Sequence, residues 1–218
     1  MCVPAGAVYG FLGPNGAGKT TTIRCLLGML KPTAGEADVF GQRVSLDGAD
    51  LRRRIGYVAG EVKLYERETG RWHLDYVAGF RGGRGTLEAE LVERFDFDPS
   101  KKVKELSKGN KQKLALILGI AHDPELLILD EPTSGLDPLN QEAIYAVIRE
   151  RVDAGRTVFL SSHVLSEVER VCDRVGIIRS GRLAAEESVR DLLGKRLREI
   201  EVRFTEATEP GFLADLPG

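Results

Sequence analysis

The sequence predicts an α/β fold with a mostly parallel central sheet and a small helical subdomain inserted into it. Three observations carry this expectation. Short apolar runs at 7–12, 55–58, 126–129, 157–160 and 175–178 alternate with stretches whose apolar residues recur at helical spacing. That is the pattern of strands buried on both faces, with helices between them. Between residues 65 and 105 the alternation gives way to two successive helical patterns. The first apolar run also leads directly into a glycine-rich turn, Gly13-Pro14-Asn15-Gly16-Ala17-Gly18-Lys19-Thr20, with a helical pattern behind it.

Each element has a local reason. Ile23, Leu26, Leu27 and Leu30 predict a helix over 20–30, with Gly28 inside it at a small cost in propensity. Lys31 to Gly35 reads as a turn, and 36–40 and 42–46 as short strands around Gly41. Residues 50–54 suggest one helical turn before the strand at 55–58. Thr69 can cap a helix carrying Trp72, Tyr76, Val77 and Phe80, whose spacing reads as core packing. Thr86 can cap a second helix through Leu91 and Phe95, and Ser107 a third, running to about Ala121. Helices at 141–152 and 165–172 flank the strand at 157–160, and the last strand runs into a turn at Ser180-Gly181. Ile200, Val202 and Phe204 alternate as a strand would. The expected division is a first part of the core at 1–64, a helical subdomain at 65–122, the rest of the core at 123–183 and an extension at 184–218.

Composition narrows the function classes. With 31 basic and 33 acidic residues the net charge is −2, so no broad nucleic-acid face is expected. Cys2, Cys25 and Cys172 have no metal-ligand spacing and read as reduced thiols. His73, His122 and His163 are too few and too scattered for a histidine metal cluster, and His73 and His122 read as structural or exposed. No apolar run approaches the roughly 18 residues a membrane helix needs, and no basic leader precedes the mildly apolar start.

The chemistry concentrates at strand ends. Gly13, Gly18, Lys19 and Thr20 satisfy G-x-x-x-x-G-K-T between a strand and a helix, the setting of a phosphate-binding loop. Glycines let consecutive backbone N–H groups converge on an anion, and the helix N-terminus adds more. Lys19 is expected to reach the β- and γ-phosphates and the Thr20 hydroxyl to ligate Mg²⁺. Asp130 and Glu131 end a buried strand, where α/β sheets bind ligands. Alternation of side chains assigns them different work: Asp130 orients the metal or its water, and Glu131 acts as general base. Ser161-Ser162-His163 ends the next strand, with His163 placed to bond a γ-phosphate. Ser107 to Asn110 opens a capped helix with a basic first turn, a second anion site that would suit a pocket shared by two copies facing head to tail.

These residues together resemble the ATP-binding subunit of an ABC transporter. The resemblance covers residues 7–183 through the phosphate loop, the signature loop Leu106-Ser107-Lys108-Gly109-Asn110, the acidic strand, the contact loop Ser134-Gly135-Leu136-Asp137 and the switch histidine His163. It implies a P-loop nucleotide hydrolase fold, ATP and Mg²⁺ as cofactors, and a head-to-tail pair of ATPase subunits. In that pair Ser107 and Gly109 would bind the γ-phosphate held by the other copy. It implies further that Thr21 assists at the α-phosphate, that Asp137 links the two sites, and that a separate integral membrane permease holds the chain at the cytoplasmic face. The signature resembles that of drug or polyketide exporters.

Two departures from the family pattern stand out. A glutamine usually follows the strand at 55–58; here the register offers Gly60 and Glu61, of which Glu61 can supply an oxygen ligand. The family also carries about two more strands before the phosphate loop, with an aromatic that stacks on adenine. Only Met1 to Gly6 stand there, and Tyr9 reads as core, so a truncated start is expected. A non-transport ATPase of the same fold, and a remnant with weak nucleotide binding, remain as competing readings.

Overall fold

The computed structural model describes residues 1–194. The strand expected around Ile200 to Phe204 lies outside them. Among the described residues six strands form the central sheet in the order β4-β5-β6-β1-β7-β8: β1 (Val8–Leu12), β4 (Ile55–Val58), β5 (Leu126–Asp130), β6 (Thr157–Ser162), β7 (Arg174–Arg179) and β8 (Arg182–Ser188). All neighbours are parallel except β8, which pairs antiparallel with β7. β2 (Asp38–Val39) and β3 (Gln42–Arg43) form a separate hairpin, shorter than expected, turned by Phe40 and Gly41 at positive φ.

The sheet is wrapped on both faces. One face carries Tyr9, Phe11, Ile128 and Phe159 against Ile23 and Leu27, with the Tyr9 and Phe159 rings stacked at 5.8 Å. Tyr9 is fully buried, as its place in the strand suggested. The other face packs Leu127, Leu129, Val158 and Leu160 against apolar residues of α5 (Lys108–Ile120), α6 (Pro138–Asp153) and α7 (Leu165–Val171). With both faces covered, β5 has no exposed residue along its length.

Several elements differ from the expectation, each for a visible reason. Helix α1 spans Lys19–Leu26 and stops where the sequence pattern would continue to Leu30. Gly28 takes φ 63°, its N–H donates to the Cys25 carbonyl, and the Met29 N–H donates to Arg24 at 2.8 Å, closing the helix end. A Cβ on Gly28 would lie 2.3 Å from the Ser45 carbonyl oxygen, so the residue also admits the hairpin strap. Helix α2 (Ala49–Arg53) is the expected single turn. Thr69 caps α3 (Gly70–Arg81) by accepting from the Trp72 N–H. Thr86 does not cap α4 (Glu88–Arg94). Leu87 stands at that helix's cap instead, and its N–H goes to the Ala121 carbonyl at the end of α5. α6 begins earlier than expected, at Pro138, because Asp137 caps it through the Asn140 N–H at 3.0 Å. Residues from 184, expected as an extension, start inside the sheet: β8 completes its edge and α8 (Val189–Gly194) follows.

The largest difference concerns α3. Trp72, Tyr76 and Phe80 do not form core. His73 and Leu74 face inward instead, Trp72 is half-buried, and Tyr76 and Phe80 are 44% and 72% exposed. With Tyr65, 61% exposed, they form a row of ring contacts: Tyr65–Trp72 at 5.4 Å, Trp72–Tyr76 at 4.7 Å and Tyr76–Phe80 at 5.0 Å. Helical periodicity located the stripe, but among the described residues nothing covers it.

Candidate functional site

The site lies at the C-terminal ends of β1, β5 and β6. The phosphate loop leaves β1 at Leu12 and enters α1 at Lys19. Gly13 fits because a Cβ there would sit 2.5 Å from the Ile178 carbonyl oxygen, and Gly18 fits because its φ is 108°. The loop is pinned at both shoulders: the Gly13 N–H donates to the Ser162 carbonyl at 3.1 Å, and the Gly181 N–H donates to the Ala17 carbonyl at 3.0 Å. Pro14, Asn15 and Gly16 form its exposed crest, while Gly13 and Ala17 are buried. Thr21 is exposed on the first turn of α1.

Two segments more than a hundred residues apart meet here. The Thr20 hydroxyl donates to Asp130 Oδ2 at 2.8 Å, and the buried Lys19 Nζ lies 3.0 Å from Glu131 Oε1. Lys19 also donates to the Gly13 carbonyl at 2.7 Å and to Pro14 at 3.3 Å. The second carboxylate oxygen of Glu131 faces His163 Nδ1 at 3.2 Å, with His163 partly exposed at the rim. Lys19, Thr20, Asp130, Glu131 and His163 are thus one constellation.

Asp130 and Glu131 diverge, but not by strand alternation. β5 ends at Asp130, and Glu131 takes φ 49°, a left-handed conformation uncommon for a residue with a side chain. Its N–H is held by Ser161, donating to the carbonyl at 3.1 Å and to the hydroxyl at 3.2 Å. The Ser161 hydroxyl in turn donates to Asp130 Oδ1. Ser161 therefore braces both acids from below. Tyr57 lies beside them, and burial, followed by the Asp130 charge, raises its phenol above the ordinary range.

Thr20 and Asp130 form a hard-oxygen pair of the kind that suits Mg²⁺, which takes one or two protein oxygens and completes its shell with phosphate and water. Among the described residues no group of three His, Cys, Asp or Glu could hold a metal by itself, in keeping with such a partial donor set. Glu61 is not brought to this pair. Its carboxylate is 85% exposed and faces Lys63 Nζ at 3.9 Å. Gly60 is the residue that meets the site: a Cβ there would be 3.1 Å from the Asp130 carbonyl oxygen.

Ser107 and Gly109 stand apart from the phosphate loop. Ser107 caps α5 by accepting from the Asn110 N–H at 3.2 Å, and Gly109 abuts Leu136. Lys108 lies over Gly135, so the signature and contact loops pack on one another. Asp137 is occupied as the α6 cap, and its bonds to Asn140 hold its carboxyl below the usual range.

Sequence reasoning passed over Gln112, Glu167 and Tyr57. Gln112, buried on α5, donates to the Pro132 carbonyl at 3.0 Å. An amide on an otherwise apolar helix face was its only signal. Glu167 accepts from Thr133 and Ser162, and a single acid in the first turn of a helix is too common a pattern to single out.

Comparison with known proteins agrees with this geometry. The family described as "ABC transporter" matches residues 1–134. The bacitracin transport ATP-binding protein BcrA of Bacillus licheniformis is 41% identical over 204 residues, 90% of this chain and 65% of BcrA. The daunorubicin/doxorubicin resistance ATP-binding protein DrrA of Streptomyces peucetius is 39% identical over 196 residues, 87% of this chain and 59% of DrrA. The chain thus spans less than two thirds of the length of either relative. A solved structure described as the ATP binding subunit of an ABC transporter superposes with a TM-score of 0.81 at 32% identity, covering 89% of this chain and 84% of that one. With its phosphate loop, acidic strand end and rim histidine in one place, this chain belongs to the ABC transporter family.

Proposed function

We propose that the chain binds and hydrolyses ATP with Mg²⁺, and that it powers export of a drug- or lipid-like small molecule through a separate membrane permease. The observation that carries the first part is the convergence of Lys19 and Thr20 with Glu131 and Asp130 at 3.0 and 2.8 Å. The N–H groups of the phosphate loop and the start of α1 bind the phosphates, joined by the Lys19 ammonium, which exchanges its carbonyl and Glu131 partners for phosphate oxygen. Thr20 and Asp130 hold Mg²⁺, which when bound neutralises phosphate charge during transfer. Glu131 takes the proton of the attacking water, and His163 orients Glu131 and the γ-phosphate from the rim.

The relatives named for bacitracin transport and for daunorubicin/doxorubicin resistance support an exporter and the class of cargo. The exposed aromatic row on α3 supports a membrane protein partner at the helical subdomain, residues 65–122. No helix among the described residues is long and apolar enough to cross a membrane, so on this reading the permease is a different chain and this one sits peripherally at the cytoplasmic face. Ser107, exposed, and Gly109, partly exposed, at the α5 start and away from their own phosphate loop, support a head-to-tail dimer with two shared sites.

Gel filtration of Glu131→Gln tests the shared site. Slowing hydrolysis lets Mg-ATP accumulate between two copies, so a dimer peak appears with Mg-ATP and not with ADP. A monomer at micromolar protein with ATP bound contradicts the shared site.

A further inference from the structure

Glu167 lies on the third position of α7, outside the constellation that touches nucleotide, yet it joins two of that constellation's supports. Its Oε1 accepts from the Thr133 hydroxyl at 2.6 Å and its Oε2 from the Ser162 hydroxyl at 2.5 Å. Both hydroxyl residues are buried. Thr133 is two residues beyond Glu131, in the tight turn closed by the Ser134 N–H to the Glu131 carbonyl at 3.1 Å. Ser162 immediately precedes His163, and its hydroxyl also accepts from the Val164 N–H at 2.9 Å, fixing the backbone on the far side of the histidine. Its carbonyl receives the Gly13 N–H of the phosphate loop. On the opposite side the turn after Glu131 is held by Gln112 of α5 through the Pro132 carbonyl.

We propose that Glu167 is a positioning residue for hydrolysis, one carboxylate that locks the segment carrying Glu131 to the segment carrying His163. The inference rests on the ATPase reading above. Glu131 is held at a strained φ at the end of β5, and its two carboxylate oxygens must face Lys19 and His163 at once. That orientation requires the turn at 131–134 and the strand end at 162–163 to keep a fixed separation. A carboxylate is suited to this role because both of its oxygens accept, and both partners are hydroxyl donors. Glutamine supplies one acceptor and one donor, so one hydroxyl must turn away. Aspartate is too short to reach both.

Because Glu167 acts on geometry and not on nucleotide binding, Glu167→Gln and Glu167→Ala lower kcat by about 10- to 100-fold, the scale of an ångström-level misplacement of a catalytic group. The ATP Kd stays within about twofold of wild type, a change of less than half a kcal/mol. Glu167→Gln keeps the packing of the side chain, so a melting temperature near wild type separates this loss from unfolding. In a cycle with the double variant Thr133→Val/Ser162→Ala, adding Glu167→Ala costs little further activity, because the struts are already gone. Full additivity, turnover of both Glu167 variants within twofold of wild type, or a kcat loss matched by an equal loss of ATP affinity overturns the proposal.

Hydrogen exchange of the nucleotide-free protein reads the lock without activity. Glu167→Gln speeds exchange at 131–136 and at 162–164 together and leaves the β1 amides unchanged. Unchanged exchange at either segment overturns the proposal even if the wild type hydrolyses ATP. A wild type that does not hydrolyse Mg-ATP refutes the ATPase reading, with the exchange result still deciding whether Glu167 locks the two segments.

Discussion

Two regions of this molecule invert the usual rule of burial in opposite directions. At the C-terminal edge of the sheet, polar side chains are inside: Lys19, Asp130, Thr133, Ser161 and Ser162 are all buried. Along α3 and just before it, large aromatic side chains are outside, with Tyr65, Tyr76 and Phe80 in solvent. Burying polar groups is tolerable only when each is partnered. Here they are: Lys19 with two carbonyls and Glu131, Asp130 with Thr20 and Ser161, Ser162 and Thr133 with Glu167. The aromatic row makes its ring contacts within itself and with His73, and leaves Tyr65, Tyr76 and Phe80 exposed. One region is completed by its own chain. The other presents apolar surface that no described residue covers.

If the polar region is a phosphate site, removing its cation has the largest effect on ATP affinity. Lys19→Ala weakens ATP binding by about 10- to 100-fold, the loss of one charge-assisted hydrogen bond of about 1.5–3 kcal/mol, as calorimetric titration would show. Ser161→Ala tests whether the region depends on complete partnering. It removes the brace under Asp130 and a bond to the Glu131 N–H, and it lowers unfolding stability by about 1–3 kcal/mol in urea titrations. An unchanged midpoint means the acids are held by other means.

The aromatic region predicts the reverse. Tyr76→Ser and Phe80→Ser together change stability by no more than about 0.5 kcal/mol, because neither side chain is buried. On the proposed reading they leave basal hydrolysis intact and abolish co-purification with a membrane permease. A marked drop in melting temperature would return these rings to the core.

A pH-dependent effect is expected at His122, half-buried where α5 ends. Burial, then the Arg81 charge, lowers its pKa from 6.5 to about 4, while the Ile55 carbonyl and Asp123 pull upward by less. The unfolded chain therefore binds more protons between pH 4 and 6.5, and stability rises with pH across that window. The contribution is fully present above pH 6.5 and declines as pH falls towards 4. His122→Phe flattens this part of the stability profile, as thermal melts at stepped pH would show.

Local signals explain what was legible in the sequence. The phosphate loop, the Ser107 and Thr69 caps and the doubly buried strand β5 each depend on residues close together along the chain, and each stands where its pattern implied. What was missed depends on distant partners. β8 has the unpatterned sequence Arg182 to Ser188 and exists because β7 offers an edge. The α4 start is decided by the carbonyl of Ala121 and not by Thr86. Spacing marked Trp72, Tyr76 and Phe80 as one stripe without saying what faces it. The different roles of Asp130 and Glu131 were anticipated, but the cause is a left-handed turn braced from β6, which no alternation rule contains.

The central claim is that residues 13–20 and 130–131 form one Mg-ATP site with Glu131 as its base. Steady-state phosphate release by wild type and Glu131→Gln, with Mg²⁺ or with EDTA and alongside ATP affinity, tests it most directly. The account predicts Mg²⁺-dependent turnover that falls about 10²- to 10⁴-fold in Glu131→Gln while ATP still binds. Turnover that survives in Glu131→Gln, or that proceeds equally in EDTA, would contradict it.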